Sequence, residues 1–194
     1  FTESDLPSAD NKRRLYELGR ELFEKSNYVE IGMDHFSKPT DNLYKAMLDK
    51  KLHRNFMGYT TNATKLLIGL GVSSISDSWS GYIQNTKELD DYISSINNGE
   101  IPITTGHFLD DEELVIKKHI LNLMCNFTTT WDEKDEKIIS KGIPRLKEME
   151  SDKLVKIIDN QLEVTEIGKT FIRNICTALD NKLWENKPST QLFS

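Results

Sequence analysis

A short apolar run that follows a helical pattern and precedes a polar loop constrains the fold of this chain most strongly. Residues 28–33, Tyr-Val-Glu-Ile-Gly-Met, have the composition of a β-strand and deliver Asp34 and His35 into the loop. The stretch from Ser8 to near Asn27 carries its leucines at helical spacing. Helix-then-strand order is typical of barrels of strand–helix units, in which groups at the carboxyl ends of the strands converge on one mouth. We therefore expect Asp34 and His35 near such a mouth.

The following segments continue this alternation. Thr40 or Asp41 can cap a short helix, and residues 87–96 have the pattern of another. Between them, residues 66–75 form a nearly continuous apolar run, which predicts a strand buried on both faces of a parallel sheet. Residues 100–108 contain a proline and a glycine and show little periodicity, so we place a domain boundary there.

The second half of the chain follows a different pattern. Asp110 and Glu113 have the spacing of a capping box that opens a helix, and residues 132–149 are helical apart from an interrupting glycine and proline. Residues 153–158 and 162–165 are two β-prone runs around a polar turn, which predicts a hairpin. One last helix follows, with apolar residues at every fourth position. This order predicts a winged-helix-like domain.

The charge balance argues against nucleic acid as a partner. The chain has 31 acidic and 25 basic residues, a net charge of −6. Residues 110–152 contain eleven acidic and seven basic residues. This net negative charge is unsuited to neutralising phosphates. A winged-helix DNA-binding module is therefore the least favoured interpretation.

Other sequence features limit the classes of protein to which this chain can belong. The apolar runs fall far short of the about 20 residues that a membrane span needs, and no secretory leader opens the chain. Because it starts at Phe1, we expect it to be a piece of a longer, cytoplasmic protein. Cys125 and Cys176 lie in separate helical patterns and are expected to be small core residues rather than a disulfide. His107 and His119 have no partner at ligand spacing, so we expect no metal site.

Residues 53–61, His-Arg-Asn-Phe-Met-Gly-Tyr-Thr-Thr, form a second candidate site segment. Arg54 can fork onto a carboxylate, and the rings of Phe56 and Tyr59 can cover an adenine or a pyrrole. The alternative is a loop whose rings pack on the barrel rim and whose arginine pairs with Asp34. The first segment has a similar alternative, a carboxylate that caps the next helix beside a hydrogen-bonded histidine.

The spacing Gly69-x-Gly71-x-x-Ser74 superficially suggests a dinucleotide fingerprint. That mechanism needs a helix to begin directly after the glycines, whereas a polar loop follows here. We interpret the glycines as allowing a ligand or a neighbouring strand to approach the backbone closely.

Several segments of the chain resemble one known family. They are residues 32–36, 53–56, 58–61, 69–73, 123–127 and 172–176. They are similar to segments of the oxygen-independent coproporphyrinogen III oxidases (dehydrogenases), radical enzymes of haem biosynthesis that use S-adenosylmethionine. The resemblance extends along the whole chain but covers only the later portion of the family's sequence.

This resemblance implies both a fold and a reaction. In the family, a partial, TIM-like α/β barrel holds a 4Fe–4S cluster and S-adenosylmethionine, and a mostly α C-terminal domain covers its mouth. Residues 1–106 would be the last strand–helix units of the barrel, and residues 107–194 the winged-helix-like cover. A 5′-deoxyadenosyl radical takes a hydrogen from a propionate of coproporphyrinogen III, carbon dioxide leaves and a vinyl group remains. Two such decarboxylations give protoporphyrinogen IX.

The resemblance also indicates site residues and one departure. Phe56, Met57 and Ile75 match family positions that line the S-adenosylmethionine site. The family has a glutamine where this chain has Met57, whose thioether cannot donate a hydrogen bond. This difference keeps open a haem chaperone or a radical enzyme acting on another tetrapyrrole.

The family's Cys-x-x-x-Cys-x-x-Cys motif is absent from this chain. We therefore expect the cluster and S-adenosylmethionine in the longer parent protein only, and this chain alone to be inactive. Its expected partners are the tetrapyrrole substrate and the missing N-terminal half of the barrel, with neither nucleic acid nor a membrane. Because half a barrel leaves a strand edge unpaired, self-association through that edge is a further expectation.

Overall fold

Short antiparallel hairpins alternate with helices in residues 6–186, the part of the chain that the computed structural model describes. The elements of the first half are α1 (Ala9–Lys25), β1 (Val29–Gly32), β2 (His35–Ser37), α2 (Asn42–Leu48), β3 (His53–Asn55), β4 (Gly58–Thr60), β5 (Ile75–Asp77), β6 (Gly81–Asn85), α3 (Leu89–Asn97) and β7 (Ile103–Phe108). The elements of the second half are α4 (Asp111–Asn126), β8 (Thr128–Thr130), α5 (Glu133–Ile139), α6 (Ile143–Ser151), β9 (Val155–Ile158), β10 (Gln161–Val164), a 3₁₀ helix (Gly168–Phe171), α7 (Ile172–Leu179) and α8 (Asn181–Asn186).

Helix α1 confirms the first helical pattern but leaves its apolar side uncovered. Ser8 caps it by accepting a hydrogen bond from a backbone N–H of the first turn at 3.3 Å. None of its residues is buried, and Leu15 and Leu18 are more than half exposed. The Phe23 ring stacks on that of Phe36 in β2 at a centroid distance of 4.5 Å. The amphipathic helix therefore lacks a complete partner within the described chain.

The prediction of a strand over residues 66–75 is wrong. Before β5 begins, only Leu67 forms a bridge, and the rest of the segment is irregular. The buried side chain of Asn85 donates hydrogen bonds to the carbonyl oxygens of Gly69 and Gly71, at 3.3 and 2.9 Å. The segment therefore wraps around this amide instead of entering a sheet, and Leu70 is left 83% exposed.

The sheets are small and antiparallel. Their strand orders are β1–β2, β3–β4, β5–β6–β7 and β8–β10–β9. Every pairing within residues 6–186 is antiparallel, whereas successive barrel units place their strands in parallel. The described chain is thus a mixed α/β fold, without the expected parallel strand–helix units. Residues 100–108, expected to be irregular, mostly form β7, which places His107 opposite Tyr82 of β6.

The second half consists of helices and the three-stranded β8–β10–β9 sheet. Asp110 and Glu113 make the predicted capping box at the start of α4, and the predicted hairpin is β9–β10. The prediction of a single last helix is wrong. The 3₁₀ helix, α7 and α8 follow one another, with a break at Asp180. The largest fully buried side chains of its core are Leu123, Ile139, Leu146, Val155, Leu162, Ile172, Ile175 and Leu179.

The two halves of the chain are packed together. Cys125 of α4 belongs to the small core of the first half, beside Ile31 and Tyr59. The Tyr59 hydroxyl donates a hydrogen bond of 2.8 Å to the carbonyl oxygen of Met124. Met124 lies in the last turn of α4, where carbonyl groups lack donors from their own helix. The β3–β4 hairpin therefore satisfies a carbonyl group of the α4 C-terminus.

Candidate functional site

A cavity of about 680 Å³ lies where the hairpins of the first half face helices α4 and α7. This volume is within the range of small-molecule sites. Its floor is apolar and consists of Ile116, Ile120, Leu121, Met124 and Cys176. Charged side chains stand on its walls. Such a hollow suits a large organic molecule that carries ionic groups.

The β1–β2 and β3–β4 hairpins reach the cavity together because they interlock. Met33 and Asp34 have φ values of 41° and 64°, the pattern of a tight two-residue hairpin turn. The His35 ring lies edge-on to Tyr59, with 5.2 Å between the ring centroids. Gly58, at φ +121°, permits this approach, because a Cβ there would lie 2.5 Å from His35 Nε2.

The predicted site residues occupy different places around this cavity. Arg54 and Phe56 line it, together with Met33, which precedes Asp34. The five others lie outside its lining: Asp34 and Met57 are exposed at the two hairpin tips, and His35, Tyr59 and Ile75 are partly or fully buried. Asp77, at the other end of the strand that begins with Ile75, does line it. The two predicted loop segments therefore share one hollow.

Arg54 and Tyr59 form a fixed pair on the wall. The guanidinium carbon lies 4.8 Å from the centroid of the Tyr59 ring, an attractive cation–π geometry. Burial raises the pKa of Tyr59 to about 12, so its phenol is neutral. Nη1 of Arg54 is buried and has no hydrogen-bond partner. The alternative pairing of this arginine with Asp34 is not present among the described residues.

Lys117 of α4 is a cavity residue that the sequence did not indicate. Its Nζ donates to Asp77 Oδ1 at 3.0 Å and to the Trp79 carbonyl oxygen at 2.9 Å. It also lies 4.5 Å from the centroid of the Tyr82 ring. Lys117 thereby links α4 to the β5–β6 hairpin. No sequence signal could reveal it, because its partners lie about 40 positions away.

Glu112 and Glu113 of the wall have basic partners. Glu112 pairs with Lys141 at 2.7 Å, and the hydrogen bonds from this lysine lower the pKa of Glu112. Glu113 pairs with Lys182 at 2.9 Å. The carboxylates of Glu112 and Glu113 are therefore ionised and already neutralised.

Thr129, His119 and Asp135 are arranged like a nucleophile, a base and an acid, but away from the cavity. The carboxylate can only accept, so His119 Nε2–H donates to it at 3.2 Å, and Nδ1 accepts from the Thr129 hydroxyl at 2.7 Å. His119 and Thr129 are 0% and 3% exposed, and burial lowers the pKa of His119. Because no substrate can reach this hydroxyl, the cluster supports structure.

The cysteines are buried and free, as predicted. Burial raises the pKa of Cys125 to about 11 and that of Cys176 to about 12, so both are inert thiols. Residues 6–186 contain no group of three or more His, Cys, Asp or Glu side chains that could hold a metal ion. Across the same residues, every helix is too short or too polar to cross a membrane.

Comparison with known proteins places the chain in one family. It is 36% identical over 203 residues to an oxygen-independent coproporphyrinogen III oxidase of Synechocystis sp., covering 99% of this chain and 43% of the relative. The protein of the same name from Escherichia coli is 34% identical over 199 residues, with the same coverage of each chain. The chain belongs to the oxygen-independent coproporphyrinogen III oxidase family. No protein-family model matches it.

A solved structure supports this family assignment. The structure of coproporphyrinogen III oxidase from Escherichia coli, described as a radical SAM enzyme, matches with a TM-score of 0.86 and 33% identity. The match covers 94% of this chain and 44% of that one. The chain therefore spans about two fifths of the length of these family members, with the fold they share over that stretch.

Proposed function

We propose that this chain is the C-terminal portion of an oxygen-independent coproporphyrinogen III oxidase. The complete enzyme would oxidatively decarboxylate two propionates of coproporphyrinogen III to vinyl groups and release protoporphyrinogen IX for haem biosynthesis. The observation that carries this proposal is identity of about one third to enzymes of that name along 92–99% of the chain.

The cavity is the part of this chain that would serve the reaction. Its apolar floor would hold the macrocycle, and its volume of about 680 Å³ suits a ligand of tetrapyrrole size. The charged walls would receive the propionates. Burial of the ring system between the hairpins and α4 would keep water away from the reacting side chain.

We propose two sets of residues around this ligand. Phe56, Met57 and Ile75 would contact S-adenosylmethionine, and the position of Phe56 on the cavity wall supports this set. The second set would border the tetrapyrrole: Asp34, His35, Arg54 and Tyr59. Arg54 lines the cavity and Tyr59 supports its guanidinium, whereas His35 would fix the two hairpins relative to each other.

The cofactors would be held mainly by the missing part of the enzyme. In radical chemistry of this type, S-adenosylmethionine and a 4Fe–4S cluster supply the radical that removes hydrogen. The residues of this chain do not fit the cluster, because its two cysteines lie far apart in sequence and are both buried. This chain would contribute walls that position ligands, and by itself it would be inactive.

We propose that residues 1–106, although their described strands pair only in antiparallel hairpins, complete a partial barrel by packing against its missing part, and that residues 107–194 cover its mouth. The missing N-terminal half of the barrel would then be the main protein partner. The exposed apolar sides of α1 and of residues 66–70 support this, since Ile68 and Leu70 are 67% and 83% exposed. Free cysteines are in keeping with a cytoplasmic enzyme.

Self-association is a further proposal for the isolated chain. Strand β7 is an edge strand of its sheet, and all of its residues are exposed. Such an edge can pair with another chain. Light scattering should detect dimers or larger species that disappear when the missing half is supplied, whereas a monomer at all concentrations would contradict this proposal.

The assay of the function uses the complete parent protein under anaerobic conditions. With S-adenosylmethionine and coproporphyrinogen III it should form protoporphyrinogen IX, measured by chromatography after oxidation to the porphyrin. The matched control is this chain after reconstitution with iron and sulfide, which should bind no stoichiometric 4Fe–4S cluster. An inactive parent that nevertheless binds haem would instead favour a haem chaperone, the alternative that Met57 supports.

A further inference from the structure

Arg54 is a cation on the cavity wall that has no ion-pair partner in the described part of the chain. It stands in the middle of β3, opposite Tyr59 of β4, whose ring lies beneath the guanidinium. Tyr59 is in turn fixed to α4 through the hydrogen bond to Met124. The guanidinium therefore has a defined position although nothing is bound to its buried Nη1.

Within residues 6–186, no carboxylate forms an ion pair with Arg54. Three of the four carboxylates that line the cavity have basic partners, namely Asp77, Glu112 and Glu113. The fourth, Asp180, accepts a hydrogen bond of 3.1 Å from the Leu183 backbone N–H. Burial holds the pKa of Cys176 at about 12, so this thiol is no counter-ion either. A guanidinium nitrogen buried without a hydrogen-bond partner is unfavourable, and an anionic ligand on Nη1 would remove that cost.

We propose that Arg54 is the carboxylate-binding group of this cavity. The inference rests on the proposed function and specifies it, because either ligand of such an enzyme carries this group. The carboxylate would come from a propionate of the tetrapyrrole or from the methionine part of S-adenosylmethionine. A planar guanidinium can hold both carboxylate oxygens, and the apolar floor strengthens the pair by excluding water.

The test is ligand binding by this chain and by variants of Arg54. Arg54→Met keeps an apolar side chain and removes the charge. Arg54→Lys keeps the charge but removes the planar guanidinium group that can donate two hydrogen bonds to one carboxylate. Arg14→Met, on exposed helix α1, is the matched control. The probes are coproporphyrin III, its tetramethyl ester and S-adenosylmethionine, titrated by fluorescence or calorimetry.

We expect Arg54→Met to lose at least about tenfold in affinity for the ligand whose carboxylate it binds. If the source is a propionate, coproporphyrin III binding falls and tetramethyl ester binding is unchanged. If the source is the cofactor, only S-adenosylmethionine binding falls. Arg54→Lys should be intermediate and Arg14→Met unchanged.

Thermal unfolding separates binding from a structural role. Arg54→Met removes a buried nitrogen that lacks a hydrogen-bond partner but also the cation–π contact with Tyr59, so its melting temperature should change little. A large drop in melting temperature with an equal loss of affinity for the tetramethyl ester, or unchanged affinity for both acidic ligands, would overturn the role of Arg54 and leave the proposed function standing. If neither the unchanged chain nor the complete parent protein binds either ligand, the assignment of the cavity fails, and the inference fails with it.

Discussion

The hydrogen bond between Tyr59 and Met124 gives a stability prediction that can be worked from the structure. Tyr59→Phe removes the hydroxyl and keeps the ring beneath Arg54, so it leaves the Met124 carbonyl without its 2.8 Å partner. Tyr59 is 9% and Met124 7% exposed, so water cannot replace the donor freely. We expect the free energy of unfolding to fall by about 1–3 kcal/mol. For a chain of this size each kcal/mol lowers the melting temperature by roughly 2–4 °C.

Urea unfolding followed by circular dichroism measures this loss. Tyr82→Phe is the matched control, because Tyr82 also lines the cavity but its hydroxyl has no protein hydrogen bond among residues 6–186. This control should change the free energy of unfolding by less than about 0.5 kcal/mol. If Tyr59→Phe is as stable as the control, the hydroxyl does not join the two halves of the chain and the reasoning is refuted.

Two further predictions concern backbone space and pH. Gly58→Ala should lower the free energy of unfolding by roughly 2 kcal/mol or more, because a Cβ would lie 2.5 Å from His35 at φ +121°. Gly19→Ala, where nothing lies within 4 Å, should raise it by up to about 1 kcal/mol, and equal effects of the two changes in urea unfolding would contradict this. The lowered pKa of His119 means that the unfolded chain binds a proton below about pH 6.5 while the folded chain does not. The free energy of unfolding should therefore be highest above that pH and fall as the pH drops below it. The His119 ring signals in NMR should remain those of the neutral imidazole. A constant free energy of unfolding from pH 7.5 to 5.5 would contradict this.

Local patterns predicted the elements that depend on near neighbours in sequence. The capping box at Asp110 and Glu113 and the hairpin after residue 152 were recognised because their signals span only a few positions. The resemblance to a family identified the wider relationship, which the comparisons then established.

Distant contacts explain what the sequence did not reveal. An apolar run at residues 66–75 indicates a need for burial but not its geometry, and here a single amide, Asn85, organises the segment. Strand β7 was missed because its alternation is weak and its pairing with β6 crosses helix α3. The cavity itself was expected from the convergence of two loops. The contribution of α4 to the cavity was not predicted, because Lys117 lies within an ordinary helical pattern.

The bridge made by Lys117 has a consequence for how ligands enter. Its side chain is 11% and that of Asp77 20% exposed, so moving α4 away from the β5–β6 hairpin would separate two largely dehydrated charges. It would also withdraw the ammonium group from two aromatic faces. We therefore expect ligands to enter through the existing opening of the cavity, while α4 and the β5–β6 hairpin stay in contact.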